Sequence, residues 1–325
     1  MDATGTTWVG IDVSKDTLDA CQLRPGTRPR QRAFPNTTAG FRRLLGWADP
    51  AARFCLESTG SYGRGLADHL AAAGRHAAVV NPARVKYAGL MRGQGNKTDA
   101  ADAKLIAEYA ARECPPAYAP PRPEIRQLQA LTRRRDDLRA AAAREKGRLA
   151  APGLSAAERA SIRRTARFLA KEADRVQAEA EAVIDGCPDL RADRTLLVSV
   201  TGVGAQTAST VLAELPERAA GRSAESAAAY AGLAPREYRS GSSVRKRTRL
   251  SKAGNARLRK ALYLPTLTAA RFNPVLKAFF DRLVAAGKPR MQAVGACRRK
   301  LLMIGYGVLR TRAPFDPSWA VEKTS

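Results

Sequence analysis

Five prolines fall within the eleven residues of "CPPAYAPPRPE", residues 114–124, and neither a helix interior nor a central strand passes through such a run. The segment has the character of an extended linker. It separates two stretches whose hydrophobic periodicities differ completely, so the chain of 325 residues folds as more than one body.

Before the prolines, strand and helix signals alternate. "TWVGIDVS", "TLDACQL", "RQRAFPN", "RFCLEST" and "HAAVVNP" have strand character. "TTAGFRRLLGWA", "YGRGLADHLAAAG", a short stretch near 83–91 and residues 98–112 have helical spacing. Three early strands followed by strand–helix alternation predict a mixed sheet with helices packed on it.

After the prolines, residues 124–185 are rich in Ala, Arg, Glu and Leu. Ile162, Ala166, Leu169, Ala173, Val176, Ala180 and Val183 alternate in steps of four and three, which is a heptad seam. Leu128, Leu131, Leu138 and Leu149 line the earlier half, and "APGLS" at 151–155 breaks the two. Two long helices are expected, as an antiparallel hairpin, as part of an intermolecular coiled coil, or as a simple spacer. "CPDL" at 187–190 ends them, and from 194 onward a helical, basic region with glycine-rich turns is expected. Within it "LLVSVTGVGAQTASTVLAEL" has the form helix, Gly-x-Gly turn, helix. It lacks the third glycine and the βαβ context of a dinucleotide site. A helix–hairpin–helix whose turn amides at Gly202 to Gly204 face a phosphate fits it, as does a plain tight turn between core helices. The expected division is 1–115, 116–190 and 191–325.

Charge narrows the function. Lys and Arg number 56 against 30 acids, a formal net charge of +26, and such an excess repels itself unless a polyanion answers it. Nucleic acid is favoured over a membrane surface. No apolar run approaches the ~20 residues of a spanning helix, the N-terminus has no signal-peptide pattern, and the longest apolar stretch is "LLMIGYGVL" at 301–309. The five cysteines are scattered and form no C-x-x-C, which suits a reducing cytoplasm and argues against a zinc ribbon or a redox motif. With only His69 and His76, a histidine-based hydrolase is not expected. The chemistry must rest on carboxylates, hydroxyls and basic groups.

Four carboxylates stand out. Asp12 follows the apolar strand "WVGIDVS" and Glu57 follows "FCLESTG". Asp99 and Asp102 in "NKTDAADAKLIAEYA" are three apart and share one helix face. Each has an ordinary reading alone, as a helix-start or strand-end residue. Together, four converging acids repel, and one or two Mg²⁺ ions would resolve the repulsion and serve phosphoryl transfer. The order of these acids is similar to the ribonuclease-H-like fold of Holliday-junction resolvases.

Residues 231–260 hold ten Lys or Arg and one acid, Glu237, a density that predicts phosphate contacts. "SGSS" makes an exposed turn, and "SKAGN" opens a helix carrying Arg257, Arg259 and Lys260. Neighbouring guanidinium groups can orient a serine and stabilise charge on the phosphate it attacks. Ordinary turn serines in a binding loop fit as well, and the residues alone do not choose among Ser240, Ser242, Ser243 and Tyr238.

"GIDVSKDTLD", "LESTGSYG", "NKTDAADAKLIAEY", "VTGVGAQTA", "AGLAPREYRSGSSVRKRTRLSKAGNARLRKALY" and "KLLMIGYGVL" together resemble the DEDD-type transposases of bridge-RNA-guided insertion sequences. The resemblance spans nearly the whole chain and is weakest in the heptad region. It implies a RuvC-like N-terminal domain, a coiled coil and a C-terminal transposase domain, working on bacterial DNA in the cytoplasm at the nucleoid. It implies a metal tetrad of Asp12, Glu57, Asp99 and Asp102, with Ser240 of "YRSG" as nucleophile and a phosphoserine link to DNA. Lys97, Gly202, Gly204, Arg236, Arg239, Arg245, Lys246, Lys252, Asn255 and Arg259 are the expected nucleic-acid contacts. A guide RNA, donor and target double-stranded DNA, and a tetramer with sites shared between subunits are the implied partners. A structure-selective endonuclease that activates water, and a binding protein without catalysis, remain the rival readings of the residues.

Overall fold

The computed structural model describes residues 5–58, 60, 62–91, 99–215, 223–240 and 244–320. At 99–100, 237–240, 244–247 and 319–320 it describes the backbone alone. The chain forms two compact units, residues 1–120 and 121–325.

The first unit is built on a five-stranded sheet. Its strands are β1 (Trp8–Val13), β2 (Thr17–Leu23), β3 (Arg30–Pro35), β4 (Arg53–Glu57) and β5 (Ala77–Val80), in the spatial order β3-β2-β1-β4-β5. β1, β2 and β3 pair antiparallel, while β1, β4 and β5 pair parallel. Four helices are described: α1 (Thr38–Trp47), α2 (Arg64–Ala72), α3 (Pro82–Leu90) and α4 (Asp99–Glu113). This mixed order is consistent with a ribonuclease-H-like domain. Local chemistry sets the helix starts. The Thr37 side chain accepts from the Gly40 amide, and Asn81 accepts from Ala83 ahead of Pro82 at the first turn of α3.

Alternation along the strands sends side chains to two separate cores. Val9 and Ile11 of β1 and Phe54 and Leu56 of β4 pack with Phe41 and Leu44 of α1 and Leu66 and Leu70 of α2. Trp8 and Cys55 face the other way, against Val85 of α3 and Ile106, Tyr109 and Ala110 of α4. On that second face Gly10 is where α4 touches the sheet. A Cβ built there would lie 2.2 Å from the Ala107 amide nitrogen and 2.3 Å from the Ala103 carbonyl oxygen.

The second unit begins with α5 (Pro123–Arg148) and α6 (Ala156–Gly186). Pro123 opens α5, and a reciprocal Ser155–Glu158 capping box opens α6. Arg135 donates to Gln177 at 2.6 Å and Arg139 reaches Asp174 at 3.4 Å, so the two helices run antiparallel as a hairpin. Leu138, Ala173 and Val176 fill the seam, with Leu131 and Leu169 packed beside them. At the root, Ile125, Leu128, Ala180 and Ile184 join the core of the helices that follow. These are α7 (Pro188–Val198), α8 (Ala205–Glu214), α9 (Ala224–Tyr230), α10 (Ala256–Ala261), α11 (Tyr263–Phe272), α12 (Pro274–Ala285) and α13 (Arg290–Thr311), with a final 3-10 turn at Pro317–Ala320. "LLMIGYGVL" lies within α13 and supplies the buried Leu301, Leu302, Tyr306 and Val308. Among the described residues no helix is long and apolar enough to cross a membrane.

The expectation of an all-helical final region is corrected at residues 235–250. There β6 (Pro235–Ser240) and β7 (Val244–Leu250) pair as an antiparallel ribbon, with a register shift between Arg236 and Tyr238. Tyr238, Val244 and Thr248 favour strands. The arginines between them hide the apolar alternation by which strands are recognised.

A polar network ties the hairpin to this body. Glu214, 1 % exposed, accepts from Arg133 Nε at 2.7 Å, Arg133 Nη2 at 3.0 Å and Asn255 Nδ2 at 2.8 Å. Arg135, equally buried, holds Asp136 and Thr210 as well as Gln177. Burial pushes the Glu214 carboxyl up, but the hydrogen bonds from Arg133 and Asn255 outweigh it and hold the group below the usual carboxylate range.

Two stability predictions arise. Gly10→Ala forces α4 off the sheet and should cost about 1–3 kcal/mol in urea unfolding, whereas Gly46→Ala should stabilise by about 0.5–1 kcal/mol. Gly46 is helical and a Cβ there meets nothing within 4 Å. Glu214→Gln should cost about 2–3 kcal/mol at neutral pH, because Arg133 keeps a third of its side chain in water. Since the folded carboxyl is depressed, its contribution is complete above the unfolded value and is lost as pH falls through the folded one. The gap between wild type and variant should therefore close on acidification.

Candidate active site and nucleic-acid interface

Asp12 and Gly10 are two apart on β1, as are Glu57 and Cys55 on β4, so both acids share the sheet face that α4 covers. β1 and β4 are parallel neighbours paired up to Ile11↔Leu56, which brings Asp12 and Glu57 to the next step of the same edge. Asp102 stands one residue before Ala103, the first α4 residue that the missing Gly10 side chain admits to the sheet. Three elements thus deliver three carboxylates to one end of the sheet. Burial pushes the Glu57 carboxyl up, and the negative charges of Asp12 and Asp102 push it further. Asp99 opens α4, one turn before Asp102.

Among the described residues no three acidic, cysteine or histidine side chains form a ready metal cluster, and the Asp99 side chain lies outside them. The donor set nevertheless suits a hard cation. It consists of carboxylate oxygens, with the Glu57 carboxyl pushed up by burial and by the charges of Asp12 and Asp102, and a divalent ion would neutralise that charge. Cys55, two residues from Glu57, is pushed up to about 12 by burial and by that carboxylate, so it stays a thiol. The histidines serve the fold. His76 Nε2 lies 3.1 Å from the Pro115 carbonyl and its ring meets Trp8 edge-on.

Ser240 ends β6, opposite Val244. Gly241, Ser242 and Ser243, like Lys97, lie outside the described residues. The ribbon places Arg239 opposite Arg245, Arg236 opposite Arg249 and Tyr238 opposite Lys246. Like charges directly across a strand pair destabilise it, so this ribbon suits an anionic partner. Arg236 and Lys252 are exposed, and Lys252 adopts a left-handed backbone with φ of 56°. Two other expected contacts are committed inside the fold. Asn255 caps α10 through Leu258 while donating to Glu214, and Arg259 donates to the Ala231 carbonyl at 2.9 Å. Gly202 faces Ala269 of α11 with φ of 102°, Gly204 is exposed at the start of α8, and the Val203 amide between them is donated to Val200. Only the two glycine amides of that turn are therefore in question for a phosphate. Sequence reasoning missed Arg133, Arg135 and Glu214, whose roles depend on partners 41 to 81 residues away.

Residues 9–152 match a family model described as a transposase, of the DEDD type found in IS110 elements, and residues 194–281 match that of the transposase IS116/IS110/IS902 family. The chain is 31% identical over 319 residues to the pilin gene-inverting protein of Moraxella bovis, covering 95% of this chain and 98% of that one. The pilin gene-inverting protein of Moraxella lacunata is similar to the same degree. An uncharacterized 43.6 kDa protein of insertion element IS110 from Streptomyces coelicolor is 29% identical over 130 residues, 40% of this chain and 32% of its own. The chain belongs to the IS116/IS110/IS902 family of transposases and is a DNA transposase/recombinase.

Proposed function

We propose that this recombinase is RNA-guided and that it cleaves and rejoins donor and target DNA through a phosphoserine link. The observation that carries the catalytic part is the gathering of Asp12, Glu57 and Asp102 from β1, β4 and α4 at one end of the sheet. With Asp99 they would hold one or two Mg²⁺ ions, which supply charge neutralisation at the attacking and leaving oxygens of a phosphodiester. The acids also accept the proton that the nucleophile loses. Ser240 Oγ attacks phosphorus, the bond from Oγ to phosphorus forms, and the bond from phosphorus to a deoxyribose oxygen breaks. That oxygen leaves as a hydroxyl after taking a proton. The serine ester keeps the free energy of the broken linkage, so a hydroxyl of the second DNA reverses the step and releases Ser240. Arg236, Arg239, Arg245, Lys246 and Lys252 hold the scissile phosphate and its neighbours, and the arginine-against-arginine ribbon supports that role.

Guidance by a bridge RNA is part of the same reading. The formal charge of +26 supports several simultaneous nucleic-acid partners, and sequence choice delegated to base pairing requires no base-reading code in the protein. The glycine turn between α7 and α8 acts as a helix–hairpin–helix phosphate contact through Gly202 and Gly204. The working unit is a homotetramer paired through the α5–α6 hairpin. Phe168 supports this. It is 67% exposed on α6, a large apolar side chain that the hairpin does not cover.

Two outcomes test the proposal. Asp102→Asn and Glu57→Gln should each lower recombination by at least about a hundredfold and abolish the rise in melting temperature that Mg²⁺ gives the wild type. RNA affinity should stay within about threefold, since phosphate contacts lie elsewhere. Recombination at wild-type rate in either variant would remove the carboxylates from the account. For the nucleophile, the protein is trapped on a nicked DNA site, digested, and the modified residue mapped by mass spectrometry. The expected mark is on Ser240 and absent in Ser240→Ala. A mark on Tyr238, Ser242 or Ser243 reassigns the nucleophile. Metal-dependent cleavage without any adduct makes the chain an endonuclease that activates water.

A further inference from the structure

The second unit carries a groove of about 970 Å³ that shares Lys252 with the phosphate-binding residues above and is otherwise unassigned. Its floor is one face of α13, from Gln292 through Gly295 and Ala296 to Met303, closed on one side by Leu233 and Leu250 at the base of the ribbon and on another by Phe279 of α12. A space of this size, mostly apolar with a few polar groups, is of the kind that takes a small organic ligand. The rim is basic. Arg249, Lys252, Arg299 and Lys300 all line it. Arg299 brings a buried Nε that has no hydrogen-bond acceptor among the described residues. Lys300 lies over the Phe279 ring, 4.7 Å from its centroid. Gln292 and Thr248 offer both donors and acceptors at the edge.

We propose that this groove takes up one unstacked nucleotide of a single-stranded nucleic acid, its base on the apolar floor and its flanking phosphates on the rim cations. Charge complementarity selects the class, because an apolar slot edged by four cations fits a flat heteroaromatic ring carrying anionic linkages. Position supports it too. Pro235 and Leu250 pair at the groove end of the ribbon and Ser240 and Val244 at the other, five residues or roughly 17 Å along β6. A strand held at the ribbon end thus has an unpaired neighbour within reach of the groove. A base in a duplex would first have to unstack, whereas a single strand presents its bases without that cost. RNA and DNA share this chemistry, and the experiment separates them. The inference rests on the nucleic-acid reading above.

The test uses the full chain and labelled strands of about twelve nucleotides, as RNA, as DNA, as DNA with abasic sugars, and as a paired duplex, followed by anisotropy. Ala296→Trp fills the floor without altering charge. It should weaken single-strand binding about tenfold while leaving duplex and abasic-strand binding within about twofold of wild type. The strand type that loses more identifies the natural source. To separate misfolding from loss of the site, the variant's melting temperature is compared with wild type, and the wild type itself is photocrosslinked to strands bearing 4-thiouridine or 4-thiothymidine. Crosslinks should map to the peptides of Phe279, Gln292 or Met303. Crosslinks confined to other regions overturn the proposal, as does single-strand affinity unchanged in a folded Ala296→Trp. If that variant keeps its strand affinity but becomes smaller in solution, the groove belongs to a second copy of the chain and the proposal falls. Binding of neither strand nor duplex to the wild type removes the nucleic-acid reading as well, a result distinct from loss of the groove alone.

Discussion

A hydrogen atom in place of a methyl group at Gly10 sets the geometry of the first unit. The α4 backbone passes so near the central strand that any Cβ there would overlap the Ala103 carbonyl and the Ala107 amide. With that approach fixed, strand alternation does the rest. The residues two places on, Asp12 and Glu57, face the helix, and the start of the helix brings Asp102 toward them. Backbone packing thus holds the acids in place, which allows like charges to be kept together in the folded protein. That arrangement is unfavourable in isolation, as the raised Glu57 carboxyl records.

The second unit handles charge in two opposite ways. Inside, two arginines of the hairpin are paired. Arg133 meets Glu214, and Arg135 is enclosed by Asp136, Gln177 and Thr210. Removing one member of such a set leaves the other without compensation in a poorly hydrated place. On the ribbon, cations are set against cations. Arg133 and Arg135 are thus paired within the fold, while the ribbon sets arginine opposite arginine and concentrates positive charge on one element. The recombinase activity of the family gives that charge an object, the phosphates of DNA.

Much of this was legible in the sequence. Apolar runs bounded by turn signals gave the five strands of the first unit, and the heptad pattern gave both long helices to within a few residues. The acids at strand ends were visible because a carboxylate after an apolar run is unusual. The ribbon was not legible, since its alternation is between arginine and polar residues and carries no apolar signal. Arg135 and Glu214 were not legible either. Both sit where a helix face would be apolar, and only tertiary partners distant in sequence make them tolerable. Gly10 looked like an ordinary strand residue because a close approach is a property of two elements together.

The hairpin is also a lever. α6 has 31 residues, a rod of about 46 Å, and its root is packed into the C-terminal core while its other end is the turn at residues 149–155. A tilt of about 5° at the root carries the far end through roughly 4 Å, more than the length of a hydrogen bond. The Arg133–Glu214 and Arg135–Thr210 contacts join the hairpin to that core. They lie about 15–18 Å along α5 from Pro123 and the far end of α5 about 38 Å, so a shift there is magnified roughly two- to threefold at the tip, and the aim of the rod is set by chemistry away from its end.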